Sequence, residues 1–92
     1  NLIICLSHLG YDYKKSPSKI SDLKLAKATQ DINLIIGGHT HTFLDKPTIE
    51  TNAVGKKVLI NQVGCYGLYV GKIDFYFEAK TLTISKSDML SV

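Results

Sequence analysis

Two short unbroken apolar runs, Leu2-Ile3-Ile4-Cys5-Leu6 and Leu34-Ile35-Ile36, decide most of what this chain can fold into. A strand with one wet face alternates apolar and polar residues. A run without any polar member is the pattern of a strand buried on both faces, as in a parallel sheet. The first run ends at Ser7-His8-Leu9-Gly10 and the second at Gly37-Gly38-His39-Thr40-His41, so each strand hands over to small residues and histidine.

The residues between the runs set their relation. The stretch YDYKKSPSK, with Pro17 and its serines, reads as a polar loop. Ser21 is a good N-cap, Asp22 suits the positive end of a helix dipole, and Ile20 and Leu25 are spaced for a hydrophobic staple. Lys24 stands where a capping box has Glu or Gln, so that motif is absent. The helix is expected to fade between Thr29 and Asp31. Strand, loop, helix and strand make one βαβ unit, whose two strands run parallel. The second half changes character, with strands expected near 57–63, 67–77 and 80–86 and the clearest alternation in Lys72-Ile73-Asp74-Phe75-Tyr76-Phe77. Glu78-Ala79-Lys80 reads as a short hairpin connection whose turn type is left open, because it has neither Gly nor Asn. The expected fold is α/β, a βαβ unit followed by several largely antiparallel strands.

Composition narrows the function classes. A chain of 92 residues is one domain at most, and 45% hydrophobic with 21% charged residues is an ordinary globular balance. The formal charge of +3 comes from 11 lysines scattered along the chain against 8 acidic residues, with no arginine. Nucleic-acid grooves need clustered cations and favour arginine, so no nucleic-acid polymer is expected as a partner. No apolar stretch approaches the ~20 residues that span a bilayer, and no signal-peptide pattern is visible. The chain opens at Asn1 without methionine and runs straight into a strand, the expectation for the middle of a longer protein. Cys5 and Cys65 form no C-x-x-C pair, and Cys5 reads as an inert buried thiol.

In open α/β sheets, ligands bind beyond the carboxyl ends of the strands. His8 and His39 fall at two such ends. Residues two apart in an extended chain face the same side with Cα atoms about 6.5–7 Å apart, so His39 and His41 are expected to point together. They would suit one metal, or two metals ~3.5–4 Å apart. Gly37 and Gly38 permit backbone shapes or close approaches that a side chain forbids. All three histidines are thus expected to gather at one edge. The plainer reading is a surface His-x-His turn and a loop-capping His8, within a non-catalytic α/β module that holds a weak or structural metal site. Asp12 and Asp45 read as solvated loop carboxylates, and Tyr11, Tyr13, Tyr66 and Tyr69 as packing or rim residues. A β-lactamase-type metallohydrolase would need a further histidine just after the pair, which HTHTFLDK lacks.

The pairing of LSHLG with DINLIIGGHTH some thirty residues later resembles the last two metal motifs of the calcineurin-like metallophosphoesterases. It is most similar to their 5'-nucleotidase branch and its 2',3'-cyclic phosphodiesterase relatives. VLINQVGCYGLYVGKIDFYF resembles the stretch that follows in that branch, so the likeness runs from Leu2 to about Phe77. The resemblance implies an α/β sandwich of two facing sheets, with residues 1–92 as the C-terminal half of its catalytic domain. It implies two divalent metal ions, whether zinc, manganese, iron or cobalt, with His8 and His39 as ligands of one and His41 of the other. It implies hydrolysis of phosphate esters, nucleotides above all, by attack of a metal-bound hydroxide. Three further motifs of the family, Asp-x-His, Gly-Asp and Gly-Asn-His-Asp/Glu, do not occur in these residues. The segment by itself is therefore expected to be inactive, with under-coordinated histidines. It is expected to be stable only against a missing N-terminal half or by self-association. Asn33 stands where the family commonly has aspartate. Relatives are often exported, which implies a periplasmic or exported location.

Overall fold

The computed structural model describes the backbone of all 92 residues and the side chains of all but residues 83 and 84. In chain order the elements are β1 (Ile4–Leu6), α1 (Asp22–Ala28), β2 (Leu34–Ile36), β3 (Thr48–Thr51), β4 (Lys57–Asn61), β5 (Tyr69–Glu78) and β6 (Thr81–Ser91). They form a four-stranded sheet in the order β1-β2-β4-β3 and a separate β5-β6 ribbon.

The βαβ unit forms as expected. β1 pairs parallel with β2, Ile4 opposite Leu34 and Leu6 opposite Ile36. Asn33 has a structural task here, its Oδ1 accepting from the Ile3 amide at 2.8 Å at the entry to the pair. Ser21 caps α1, its Oγ accepting from the Lys24 amide at 3.4 Å. Ile20 is 62% exposed, which leaves little of it for a staple against Leu25.

Two features of the sheet depart from expectation. β4 joins β2 in parallel, with Ile60 opposite Ile35, so the sheet has a third parallel strand. β3 was not expected as a strand at all. It runs antiparallel to β4 along the sheet's edge, Thr48 opposite Ile60.

Burial on both faces holds for only part of the apolar runs. On one face Ala26 of α1 closes over Ile35, Val58 and Ile60, with Cys5, Tyr11, Leu23, Leu25 and Ile32 packed around them. The opposite face is largely open, with Ile4 47%, Leu6 79% and Ile36 43% exposed. β1 is an edge strand whose outer face no described element covers, so the expectation of two buried faces fails there. Leu34 on that same face is 3% exposed. Farther along, a cavity of about 810 Å³ separates the face from the ribbon, lined by Ile49 and Leu59 on one side and Phe75, Phe77 and Leu82 on the other. Cys5 is only half-buried, and both cysteines are free thiols.

The ribbon settles the open hairpin. Glu78 pairs with Thr81, leaving Ala79 and Lys80 as the two loop residues, with φ of 55° and 97°. Positive φ at both positions marks a type I′ turn, which follows the strand twist but favours Asn and Gly. The joint replacement Ala79→Asn, Lys80→Gly is therefore expected to stabilise the ribbon by about 1–2 kcal/mol. Amide exchange of β5 and β6 should slow roughly fivefold to thirtyfold. Unchanged exchange would mean that the turn carries no strain.

Candidate metal centre at the carboxyl ends of the parallel strands

β1 and β2 end side by side, and the ladder continues one residue past β1, with the Ser7 amide donating to the Ile36 carbonyl at 2.9 Å. His8 follows Ser7, and His39 follows the two glycines after β2. Their rings meet edge to face with centroids 5.0 Å apart. Two imidazoles on one tetrahedral ion, each nitrogen at about 2.0–2.1 Å, have centroids about 5 Å apart, so this pair fits a shared cation. Among the described residues, neither ring hydrogen-bonds to another side chain or to the backbone, so its lone pair is not committed elsewhere. Both histidines are exposed.

His41 behaves differently. Its ring faces Tyr66 at 6.2 Å rather than the His8–His39 pair. The backbone explains why. His39 has φ 73° and His41 φ 52°, so the segment is not extended and the two side chains do not share a face as strand periodicity required. The Thr40 amide donates to the Gly38 carbonyl at 2.9 Å, which makes His39 the centre of a γ-turn of the rare positive-φ kind. Such backbone costs about 1–3 kcal/mol per non-glycine residue and persists only where its surroundings hold it. Among the described residues no three His, Cys, Asp or Glu side chains converge on one point. The expectation that all three histidines gather is thus met by two.

The surroundings that hold the turn can be named. After the turn the chain runs beside β4's continuation, with the Leu44 amide donating to Gln62 O at 3.0 Å and the Gly64 amide to Thr42 O at 2.8 Å. Thr40 Oγ1 accepts from the Tyr11 amide at 3.0 Å. The Gln62 side chain reaches in from β4's end, its Oε1 accepting from the Thr42 amide at 2.6 Å and from Thr40 Oγ1 at 3.4 Å. Gly37 and Gly38 act through close approach, not positive φ. A Cβ on Gly37 would lie 2.2 Å from Asp22 Oδ2, and one on Gly38 would lie 3.3 Å from His8 Nδ1.

Asp22 is the residue that sequence reasoning undervalued. Beyond suiting the helix dipole, it is fully enclosed and accepts from Ser7 Oγ at 2.5 Å. Burial pushes its carboxyl above the ordinary 3.8, and the Ser7 hydrogen bond pulls part of the way back. A raised folded value means that the folded state holds this proton more tightly than the unfolded chain does. Asp22's contribution to stability is therefore complete below 3.8 and is lost as pH rises through its folded value. The stability of wild type relative to Asp22→Asn should accordingly fall as pH climbs from 3.8 towards neutrality. Denaturant titrations of both proteins across that range check this, and parallel curves would remove the burial argument.

Of the other residues weighed, Asp12 lines a shallow depression of about 530 Å³ with Tyr11, Tyr13, Lys14, Lys15, Ser16 and Thr42, beside the histidine loop. Tyr11 packs on the core and meets Thr48 Oγ1 through its hydroxyl at 2.6 Å, whereas Tyr66 is 87% exposed. Asp45 is exposed. Among the described residues no helix is long and apolar enough to cross a membrane.

The chain as a whole has counterparts among known proteins. No family model matches the chain. The trifunctional nucleotide phosphoesterase protein YfkN of Bacillus subtilis is 37% identical over 92 residues, taking in 100% of this chain and 6% of that protein. An apyrase of Tabanus yao is 38% identical over 92 residues, 84% of this chain and 15% of the apyrase. The crystal structure of a 5'-nucleotidase precursor from Thermus thermophilus superposes with a TM-score of 0.82 at 36% identity, over 99% of this chain and 19% of that one. The chain thus spans less than a fifth of the length of each of these proteins. With its mixed α/β architecture of two sheets and its likeness to nucleotidases along its length, the chain belongs to the 5'-nucleotidase family.

Proposed function

We propose that the protein containing this segment hydrolyses phosphate esters of nucleotides at a centre of two divalent metal ions. His8 and His39 are ligands of one ion, and His41 is a ligand of the other. The observation that carries this reading is the His8–His39 ring pair, 5.0 Å apart at the ends of neighbouring parallel strands. The donor set is neutral imidazole, which suits zinc, manganese, iron or cobalt. When bound, such ions supply Lewis-acid stabilisation of phosphoryl oxygens and acidify water at neutral pH.

The chain's own residues have separate tasks. Gly37 and Gly38 let the turn lie against Asp22 and the His8 ring, which aims His39 at His8. The positive-φ backbone turns His41 away from that pair and towards Tyr66, in keeping with service to a different ion. The depression carrying Lys14 and Lys15 lies beside the histidine loop and is open to an anionic substrate. Residues 1–92 are on this reading the C-terminal half of the catalytic domain. The open face of β1 and β2 is where the N-terminal half packs, or where two copies associate when that half is absent. A relative named as a venom 5'-nucleotidase, from Naja atra, supports an exported location.

One observation favours a second reading, a non-catalytic module with a weak metal site: only two donors converge among the described residues. Activity separates the two. Chelator-treated full-length protein should lose hydrolysis of a nucleoside monophosphate and regain it with zinc, manganese or cobalt. Undiminished hydrolysis after verified metal removal would eliminate the metal mechanism, and absence of hydrolysis in the metal-loaded protein would favour the module.

A further inference from the structure

Among the described residues, three buried side-chain atoms lack a hydrogen-bond partner: Asp22 Oδ2, Gln62 Nε2 and Asn61 Oδ1. Two of them lie near Gly37, behind the histidine turn. The Cβ position of Gly37 is 2.2 Å from Asp22 Oδ2 and 3.4 Å from Gln62 Nε2, so a carboxylate acceptor and an amide donor flank the same glycine. Their polarity is complementary and not arbitrary. Gln62 Oε1 is identified as the oxygen by its two donors, the Thr42 amide and Thr40 Oγ1, and this turns the NH₂ group inwards. Asp22 Oδ1 is taken by Ser7 Oγ, which leaves Oδ2 as the free acceptor. Asp22 is 0% and Gln62 3% exposed, so neither atom reaches bulk solvent. A carboxylate acceptor and an amide donor left unpaired in an enclosed place are each costly, and pairing them directly or through one water would satisfy both.

We propose that Asp22 is the positioning residue of the histidine site, joining the strand end that carries His8, through Ser7, to the turn that carries His39 and His41, through Gln62. One end of the link is the residue before His8. The other is the amide that grips Thr40 and Thr42, the residues on either side of His41. The link thus fixes the two arms of the site relative to each other, and it does so without touching any of the histidines. It acts where strain must be held, since His39 and His41 both occupy positive φ.

The inference rests on the metal-site reading, and its test separates the two. In full-length protein stripped of metal, Mn²⁺ is titrated calorimetrically into wild type, Asp22→Asn, Ser7→Ala and the exchanged pair Asp22→Asn/Gln62→Glu. Deuterium exchange of the 34–44 segment is read by mass spectrometry without metal. Asp22→Asn removes the charge and, with its Oδ1 kept on Ser7 Oγ, sets its NH₂ against the Gln62 donor, so it should weaken Mn²⁺ binding about tenfold to hundredfold, with the fold retained. Ser7→Ala should weaken it less. The exchanged pair restores donor against acceptor with the same charge, and should recover affinity to within about threefold of wild type. Exchange at 37–44 should rise selectively in Asp22→Asn and return in the exchanged pair. Mn²⁺ affinity within twofold of wild type in folded Asp22→Asn overturns the inference, as does a loss that the exchanged pair does not recover. If Asp22→Asn does not fold, Ser7→Ala and the exchanged pair carry the same decision. If wild type itself takes up no Mn²⁺, the metal-site reading fails, and the metal-free exchange pattern alone decides whether Asp22 orders the turn.

Discussion

Replacing His39 with alanine in the complete protein is expected to lower kcat/KM for a nucleoside monophosphate by about 10³ or more, a loss of about 4 kcal/mol of transition-state stabilisation. The melting temperature should move by no more than about 4 °C. The asymmetry follows from the surroundings of the side chain. His39 is exposed, so its removal leaves no cavity and strands no buried partner. Its one contact of consequence is the His8 ring, and without it a cation at that place loses half of the donors this chain brings together. His41→Ala should also depress turnover but should spare the first ion, because its ring lies apart from the pair. Activity assays, metal analysis by mass spectrometry and thermal denaturation on the three purified proteins supply the comparison. Near-normal turnover and metal content in His39→Ala would withdraw the assignment of the site.

The second large effect is a crossed pair of glycine substitutions. Gly37→Ala sets a methyl group 2.2 Å from Asp22 Oδ2, in a fully enclosed place where the carboxylate is already tied to Ser7. Either the carboxylate or the strand end must shift, at a cost of roughly 2–4 kcal/mol in stability. Gly38→Val meets the His8 ring first, with Nδ1 at 3.3 Å from the added carbon and the Ser7 carbonyl at an ordinary 3.9 Å, and the exposed imidazole can swing aside. Its stability cost should stay at about 1 kcal/mol, but a swung ring no longer faces His39, and metal affinity should fall about tenfold or more. Position 37 is thus expected to report on folding and position 38 on binding. Calorimetric metal titration and thermal denaturation of both variants decide it. Gly38→Val binding metal as tightly as wild type, or Gly37→Ala melting with wild type, would each break the pattern.

The features legible in the sequence were those that leave a periodic or terminal mark. The apolar runs and the capped helix between them gave the βαβ unit, and with it the neighbouring ends that carry His8 and His39. The unread parts have physical reasons. Thr48-Ile49-Glu50-Thr51 is a short edge strand after a proline, with too few residues to show a period. Lys57–Asn61 was visible as a strand, but no local pattern tells whether a strand joins its neighbour in parallel, and β4 does. The γ-turn at His39 carries no glycine or asparagine at its centre, so its positive φ had no sequence signal. Asp22 was legible as a helix-start residue, yet its enclosure depends on Ser7, Gly37 and Gln62, which lie 15 to 40 positions away along the chain. Leu6 and Ile36 show the reverse error: their hydrophobicity was plain, but hydrophobicity does not say that a cover is present.

The two histidines at positive φ also set a hazard for anyone who engineers this protein for heat resistance. At φ 73° and 52°, glycine or asparagine is intrinsically more comfortable than histidine. A screen that scores only survival after heating will therefore reward His39→Gly or His41→Asn. If His39 and His41 hold metal as proposed, those winners would be sturdier and without activity. On the proposed assignment, glycine or asparagine at either place would ease the backbone and keep the scaffold while giving up a metal ligand.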